Sequence, residues 1–292
     1  MPYSAEFQEK VQLFQDAAGF ENRRVPNLSN DYTWKIFDSG YTHKGAYFDS
    51  KKMGKLVCEN HERYNFDAYL DLGTRNHFPQ MQALGGGSYV LNEQTGSINV
   101  TDAPTLKPEE YEDFAKDPMA YLNILFARKF PALQRALQAG EKTYIADVYC
   151  ALIGHQVMNR KQFEQLYLPQ LRQILDACAQ AGKMVYLYVE GSIARFAEYF
   201  KDVPKGCAIM HLEIDDIFEM RKLLPGMCLA GGMTTDLLGS ESPERCVAHA
   251  EKLVSELGPG YVMSQNKMLS FKNDCRRENL LAVNNFVREY TL

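Results

Sequence analysis

The chain has 292 residues, 46% hydrophobic and 24% charged, enough to bury a large core as one big domain or two ordinary ones. A net charge of −5 with no basic cluster argues against a nucleic-acid partner, because phosphate binding needs concentrated Lys and Arg. The seven cysteines, Cys58, Cys150, Cys178, Cys207, Cys228, Cys246 and Cys275, are scattered and form no C-x-x-C pair. Neither a disulfide framework nor a cysteine-clustered zinc site is expected from them, and they read as reduced thiols.

The opening "MPYSAEFQEKVQLFQDAAGF" lacks the basic start and apolar block of a signal peptide. No later run approaches the ~18 apolar residues that span a bilayer, so a cytoplasmic protein with no membrane partner is expected. Next come two plausible strands, "RVPNLSND" and "NFDAYLDLG". "ALGGGSYVLNEQTGSINVTDAP" reads as a hairpin or irregular excursion. Its glycines Gly85 to Gly87 precede a strand-like segment rather than a helix, so they form no dinucleotide fingerprint, and a tight turn is a better reading than a phosphate cradle. Arg75 and His77 follow a predicted strand end and read equally as mouth or surface-loop residues.

From residue 143 the pattern is regular. "TYIADVYCAL", "MVYLYVEG", "CAIMHLEI", "MCLAGGM" and "YVMSQN" are short apolar runs suited to buried parallel strands. Amphipathic segments separate them, including "NRKQFEQLYLPQLRQILDACAQAG", which ends in Gly182, and "SPERCVAHAEKLVSELG", with a Ser-Pro start and Gly258 at its close. Strand and helix alternating at this pace predict a parallel sheet, either a closed barrel or a doubly wound sheet. With no repeats, low-complexity tracts or Pro-rich linkers, the reading is a single domain over residues 1–292. Its fold is expected to be a TIM-type (β/α)8 barrel with an elaborated N-terminal half.

Side chains alternate across a strand, so Leu187 and Val189 are expected to face helices while Tyr186, Tyr188 and Glu190 face the lumen. Glu190 and the following Gly191 would then stand at the C-terminal mouth, where barrel active sites lie. The same position in the other strands offers Asp147 and Tyr149, His211 and Glu213, Gly231 and Gly232, and Ser264 and Asn266. Carboxylates converging on an apolar-walled mouth suit acid–base work, metal binding or cation recognition. Glu190 reads as a functional group of this kind or as a structural carboxylate paired to Arg195. Glu213 reads similarly, with Asp215 and Asp216 capping the next helix. His211, two residues from Glu213, reads as a packed core histidine or as one ligand of a Glu190, His211 and Glu213 zinc site. Tyr186 and Tyr188 read as lumen packing or as an aromatic wall. Cys228 and His249 are weaker candidates, His249 because it falls inside an exterior helix.

The second half, through "YVEGSIARFAEYFKDVPKG", "LEIDDIFEMRKLLPGMCLAGGMTTDLLGSESPERCVAHAEKLVSELGPGYVMSQN" and "RRENLLAVNNFVREY", resembles the uroporphyrinogen decarboxylase superfamily. The first half fits more loosely, through "RRVPNL" and "EEYEDF". The resemblance implies a TIM-type barrel and one of two chemistries: tetrapyrrole side-chain decarboxylation, or methyl transfer involving cobalamin on a separate corrinoid protein. The decarboxylase branch uses an Arg-bearing "W-x-M-R-Q-A-G" run, and "RRVPNLSNDYTWKIFDSG" has none. A polycarboxylate substrate would also be repelled by Glu190, Glu213 and Asp147. The methyltransferase branch carries a His-x-Cys pair and a distant Cys as zinc ligands; the aligned positions here are Tyr188, Glu190 and the neighbourhood of Lys267. The usual zinc ligands are therefore absent, and with them the means of activating a thiol.

Together these readings favour a methyltransferase component that demethylates a small methylated substrate onto the cobalamin of a partner corrinoid protein. The chain has no "D-x-H-x-x-G" loop of its own to hold the corrinoid. Glu190 and Glu213 are the expected catalytic residues, and Asp147, Tyr149, Tyr186, Tyr188, His211 and Asn266 the expected substrate-binding residues. The alternatives are a decarboxylase-like enzyme and a non-catalytic ligand-binding barrel.

Overall fold

The computed structural model describes residues 4–70, 89–92, 98–100, 116–117 and 148–292. Nine strands lie among them: β1 (Asn27–Ser29), β2 (Ala68–Tyr69), β3 (Tyr89–Leu91), β4 (Ile98–Val100), β5 (Val148–Leu152), β6 (Val185–Val189), β7 (Ala208–Leu212), β8 (Cys228–Met233) and β9 (Tyr261–Gln265). Seven form one parallel sheet in the order β2-β1-β9-β8-β7-β6-β5, and β3 pairs with β4 as an antiparallel hairpin. The expected parallel architecture and hairpin are both present. Of the expected eight-stranded barrel, the described residues show a curled, seven-stranded half-barrel whose sheet runs from β2 to β5.

The two faces of β6 divide as strand alternation requires. Val185, Leu187 and Val189 join the layer between sheet and helices. Tyr186 and Tyr188 join a separate inner cluster with Leu28, Ile209, Ala230 and Val262. Phe14, Ala17 and Ala18 of the first helix, Ala5–Gly19, complete that cluster beside Met184 and Cys228, which lie just before or at the start of their strands. This helix thus closes the N-terminal end of the lumen and leaves the C-terminal end for a site.

Local chemistry sets the helix boundaries. Ser242 accepts from Arg245 N ahead of Pro243, the first residue of Pro243–Leu257. That helix buries Cys246, Ala250, Leu253, Val254 and Leu257 at three- and four-residue spacing. Asp216 caps Ile217–Leu223 through Phe218 N and Glu219 N, as expected. The predicted long helix after β5 is interrupted by a π-type turn over Phe163–Tyr167, followed by a regular helix over Leu168–Gln180. Pro169 has no N–H to donate to residue 165 and its ring crowds that carbonyl, so the preceding turn widens.

Gly231 and Gly232 lie inside a central strand with φ of +113° and +89°. A Cβ on Gly231 would stand 2.7 Å from the backbone oxygen of Leu212 on neighbouring β7. The Gly-Gly pair is what allows β8 to bend there.

Candidate active site

Glu190 is the first residue beyond β6, and its N–H is still held by Leu152 O of β5 at 3.1 Å. The chain turns sharply at Gly191, whose φ is +71° and whose missing Cβ leaves room for the Gln156 side chain. The loop after β7 fastens this turn. Glu213 Oε2 accepts from Gly191 N at 2.6 Å, and Asp215 accepts from Ser192 Oγ at 2.5 Å and Ile193 N at 2.7 Å. Arg195 donates to the carbonyls of His155 and Gln156, so it is committed elsewhere and forms no pair with Glu190. Among the described residues the Glu190 carboxyl has no hydrogen-bond or ion-pair partner.

A cleft of about 350 Å³ opens at this end of the sheet. Tyr188, Met268 and Phe271 supply apolar wall, Glu190, Glu213 and Lys267 supply ionisable groups, and Thr235 and Ser270 supply hydroxyls. Asp274 also borders it, but its Oδ2 accepts from Ser270 N and Phe271 N and shapes their turn. Burial first, and then the nearby Glu213 charge, raise the Glu190 pKa from its ordinary value. Tyr188 is pushed up to about 12, mainly by burial, so its hydroxyl stays protonated.

Beneath the cleft lies a closed network. His211 Nε2 is 3.0 Å from Asn266 O, and because a carbonyl only accepts, this nitrogen carries the proton. Nδ1 therefore accepts from the Tyr186 hydroxyl at 2.7 Å. Tyr188 stacks on the imidazole with ring centroids 4.6 Å apart, and Asn30 donates to the Tyr188 hydroxyl and to Gln265 O. Asn266 continues the chain: its Nδ2 donates to Glu213 O, and its Oδ1 accepts from Lys267 N.

The structure thus brings Tyr188, Glu190 and Glu213 to the cleft and places Tyr186 and His211 below it as buried support, with Asn266 bonded between them and Glu213. Tyr149 pairs in register with Tyr186, but its side chain, like Asp147, Arg75, His77 and Gly85 to Gly87, lies outside the described residues. Ser264 is buried inside the sheet rather than at the mouth. His249 bonds Gly232 O on the far side of β8, and burial pushes the Cys228 thiol up to about 12. The sequence reading missed the contribution of the segment after β9, where Met268, Ser270 and Phe271 follow Lys267, and missed Thr235 after β8. Their position just past strand ends was the available signal.

The zinc arrangement does not fit this donor set. Both His211 nitrogens are engaged within the protein, Tyr188 is a protonated phenol, and Lys267 is a cation rather than a ligand. Among the described residues no three His, Cys, Asp or Glu side chains are grouped to hold one metal ion.

Burial lowers the His211 pKa to about 4, so the imidazole is neutral at physiological pH. The unfolded chain binds this proton from about pH 6.5 downward while the folded state resists it, so stability is lost as pH falls from 6.5 toward 4. Urea unfolding of wild type and His211→Asn at pH 7 and pH 4.5 is expected to show a steeper acid loss in wild type, by up to about 3 kcal/mol. Equal slopes would mean the histidine charges freely in the folded state.

A family model of uroporphyrinogen decarboxylase (URO-D) matches residues 132–290, more than half of the chain. The chain belongs to the uroporphyrinogen decarboxylase family. No curated protein matches this family member. Among solved structures it is similar to a methyltransferase from Methanosarcina mazei, with a TM-score of 0.64 and 14% identity over 96% of this chain and 98% of the other. At that identity the likeness establishes a shared fold. Among the described residues no helix is long and apolar enough to cross a membrane.

Proposed function

We propose that this URO-D family member is a methyltransferase component that removes a methyl group from a small donor and passes it to the cobalamin of a separate corrinoid protein. The observation that carries the reading is Glu190: a carboxyl with no partner among the described residues, held toward its protonated form, in an open cleft at the C-terminal ends of the strands. The corrinoid would supply the nucleophile that accepts the methyl group. The chain's own part is to orient the donor against Tyr188, Met268 and Phe271 and to protonate its heteroatom. As the carbon–heteroatom bond breaks, the electron pair stays on the heteroatom, and the Glu190 proton neutralises it. Glu213 supports this by holding Gly191 and, after burial, by raising the pKa of the neighbouring carboxyl through like charge.

Incubating the protein with a reduced corrinoid protein and a panel of methoxyaromatic, methylamine and methylthiol donors is expected to release one demethylated product, together with a change in corrinoid absorbance. Carbon dioxide release from uroporphyrinogen, with no demethylation of any donor, would replace this reading with a decarboxylase. Ligand-induced melting shifts without turnover of any donor would replace it with a binding barrel.

The Glu213→Gln variant tests the coupling between the two carboxyls. Gln retains an oxygen for Gly191 N but removes the charge, so Glu190 ionises at lower pH. The high-pH limb of kcat/KM, where the acid is lost, is expected to move toward lower pH than in wild type. An unmoved limb would remove Glu213 from the acid's environment.

A further inference from the structure

We propose that the cleft selects a donor bearing an acidic substituent, a carboxylate in the simplest case, and that Lys267 binds that substituent while the methylated heteroatom lies at Glu190. The inference rests on the methyl-transfer reading for the role of the donor, and on the charges of the cleft for its class.

The carboxylates that could have favoured a cationic donor are already engaged. Glu213 Oε2 is taken by Gly191 N, and its Oε1 faces Lys267; Asp274 Oδ2 is taken by two backbone N–H groups. Glu190, which has no partner among the described residues, is held toward its neutral form by burial and by Glu213. A carboxyl so biased offers a cation less than an ordinary carboxylate does, and keeps its proton for a leaving group to higher pH.

Lys267 has the opposite character. Its Nζ lies 3.9 Å from Glu213 Oε1, an ion pair too long to be a hydrogen bond, and its side chain is half exposed beside the cleft. Among the described residues none accepts a hydrogen bond from this ammonium, whose three donors suit an anionic ligand. Its backbone is held, however. Lys267 N donates to Asn266 Oδ1, and Asn266 is anchored at Glu213 O and at His211. A fixed backbone carrying an ammonium with no hydrogen-bond acceptor among the described residues, in a cleft also lined by Tyr188, Phe271 and the raised-pKa carboxyl of Glu190, is suited to a short aromatic or apolar molecule with an anion at one end and a methylated heteroatom at the other.

The test is binding to the purified chain, measured by calorimetry with 4-methoxybenzoate, the neutral 4-methoxybenzyl alcohol and tetramethylammonium. Wild type is expected to bind the benzoate at least tenfold more tightly than the other two. Lys267→Met is expected to lose about 10- to 100-fold in affinity for the benzoate, as befits a lost charged hydrogen bond, and to keep its affinity for the alcohol. Lys267→Arg should recover most of the loss. Preference for the alcohol or the ammonium, an equal loss for benzoate and alcohol in Lys267→Met, or no binding of the benzoate at 10 mM would each overturn the proposal. Supplying the corrinoid protein then separates the two readings. Lys267-dependent binding without demethylation leaves the anion site standing and removes methyl transfer; demethylation of neutral donors alone keeps methyl transfer and removes the anion site.

Discussion

The Glu190→Gln variant is expected to turn over about 10²- to 10⁴-fold more slowly than wild type while folding normally, the range lost when a general acid is removed. Gln keeps the shape of the side chain and removes the proton. Folding is spared because the carboxyl has no partner to abandon among the described residues: Arg195 is bound to the His155 and Gln156 carbonyls, and Glu190 is held in place by its backbone. The sign of the stability change is also set. A carboxyl whose folded pKa is raised contributes fully below its unfolded pKa and loses that contribution as pH rises through the folded value, so above that folded value the ionised wild type carries a strain that Gln lacks. The Tm of the variant at pH 7 should equal or exceed that of wild type. A structural ion pair would give the reverse: a loss of roughly 3 to 5 kcal/mol with normal turnover per folded molecule.

Gly231→Ala is expected to be the most damaging single-methyl change in the sheet, costing about 4 kcal/mol or more. Two effects add. A φ of +113° is one that L-residues rarely adopt, and the new Cβ would meet Leu212 O at 2.7 Å, a backbone atom pinned in the ladder between β7 and β8. Relief would require parting two central strands and disturbing Gly231 O, which accepts from the Tyr261 hydroxyl at 2.7 Å. Gly226→Ala, where an added Cβ meets nothing within 4 Å, is the matched control and should change stability little. Urea unfolding of the two variants distinguishes them; equal midpoints would show that β8 tolerates a side chain at its bend.

The reach of the sequence is clearest along β6. Alternation there is a local property, so "YLYVEG" told which side chains face the lumen and put Glu190 at the mouth before any partner was known. It also carried His211, Glu213 and Asn266 to the same end of the sheet. What alternation cannot tell is who meets whom. The register that sets Tyr188 opposite His211, and Tyr186 one step below, is fixed between strands distant in sequence. That register turns three presumed ligand contacts into one internal chain from Tyr186 through His211 to Asn266. Met268, Ser270 and Phe271 were hidden for a related reason: they lie in an irregular segment after β9, where no periodicity indicates direction. The bend at Gly231 was visible only as two small residues, since a Gly-Gly pair in a strand does not reveal its φ.

The account turns on Glu190 being an acid in the folded protein, and its titration can be observed directly. The infrared difference between wild type and Glu190→Gln isolates the carboxyl band of this residue, which can be followed from pH 3 to pH 9. The expected result is a midpoint above the ordinary glutamate value of about 4.3, lowered when the same difference is taken in a Glu213→Gln background. A midpoint at or below the ordinary value, unchanged by Glu213→Gln, would make Glu190 a carboxylate at working pH and contradict its role as the proton donor.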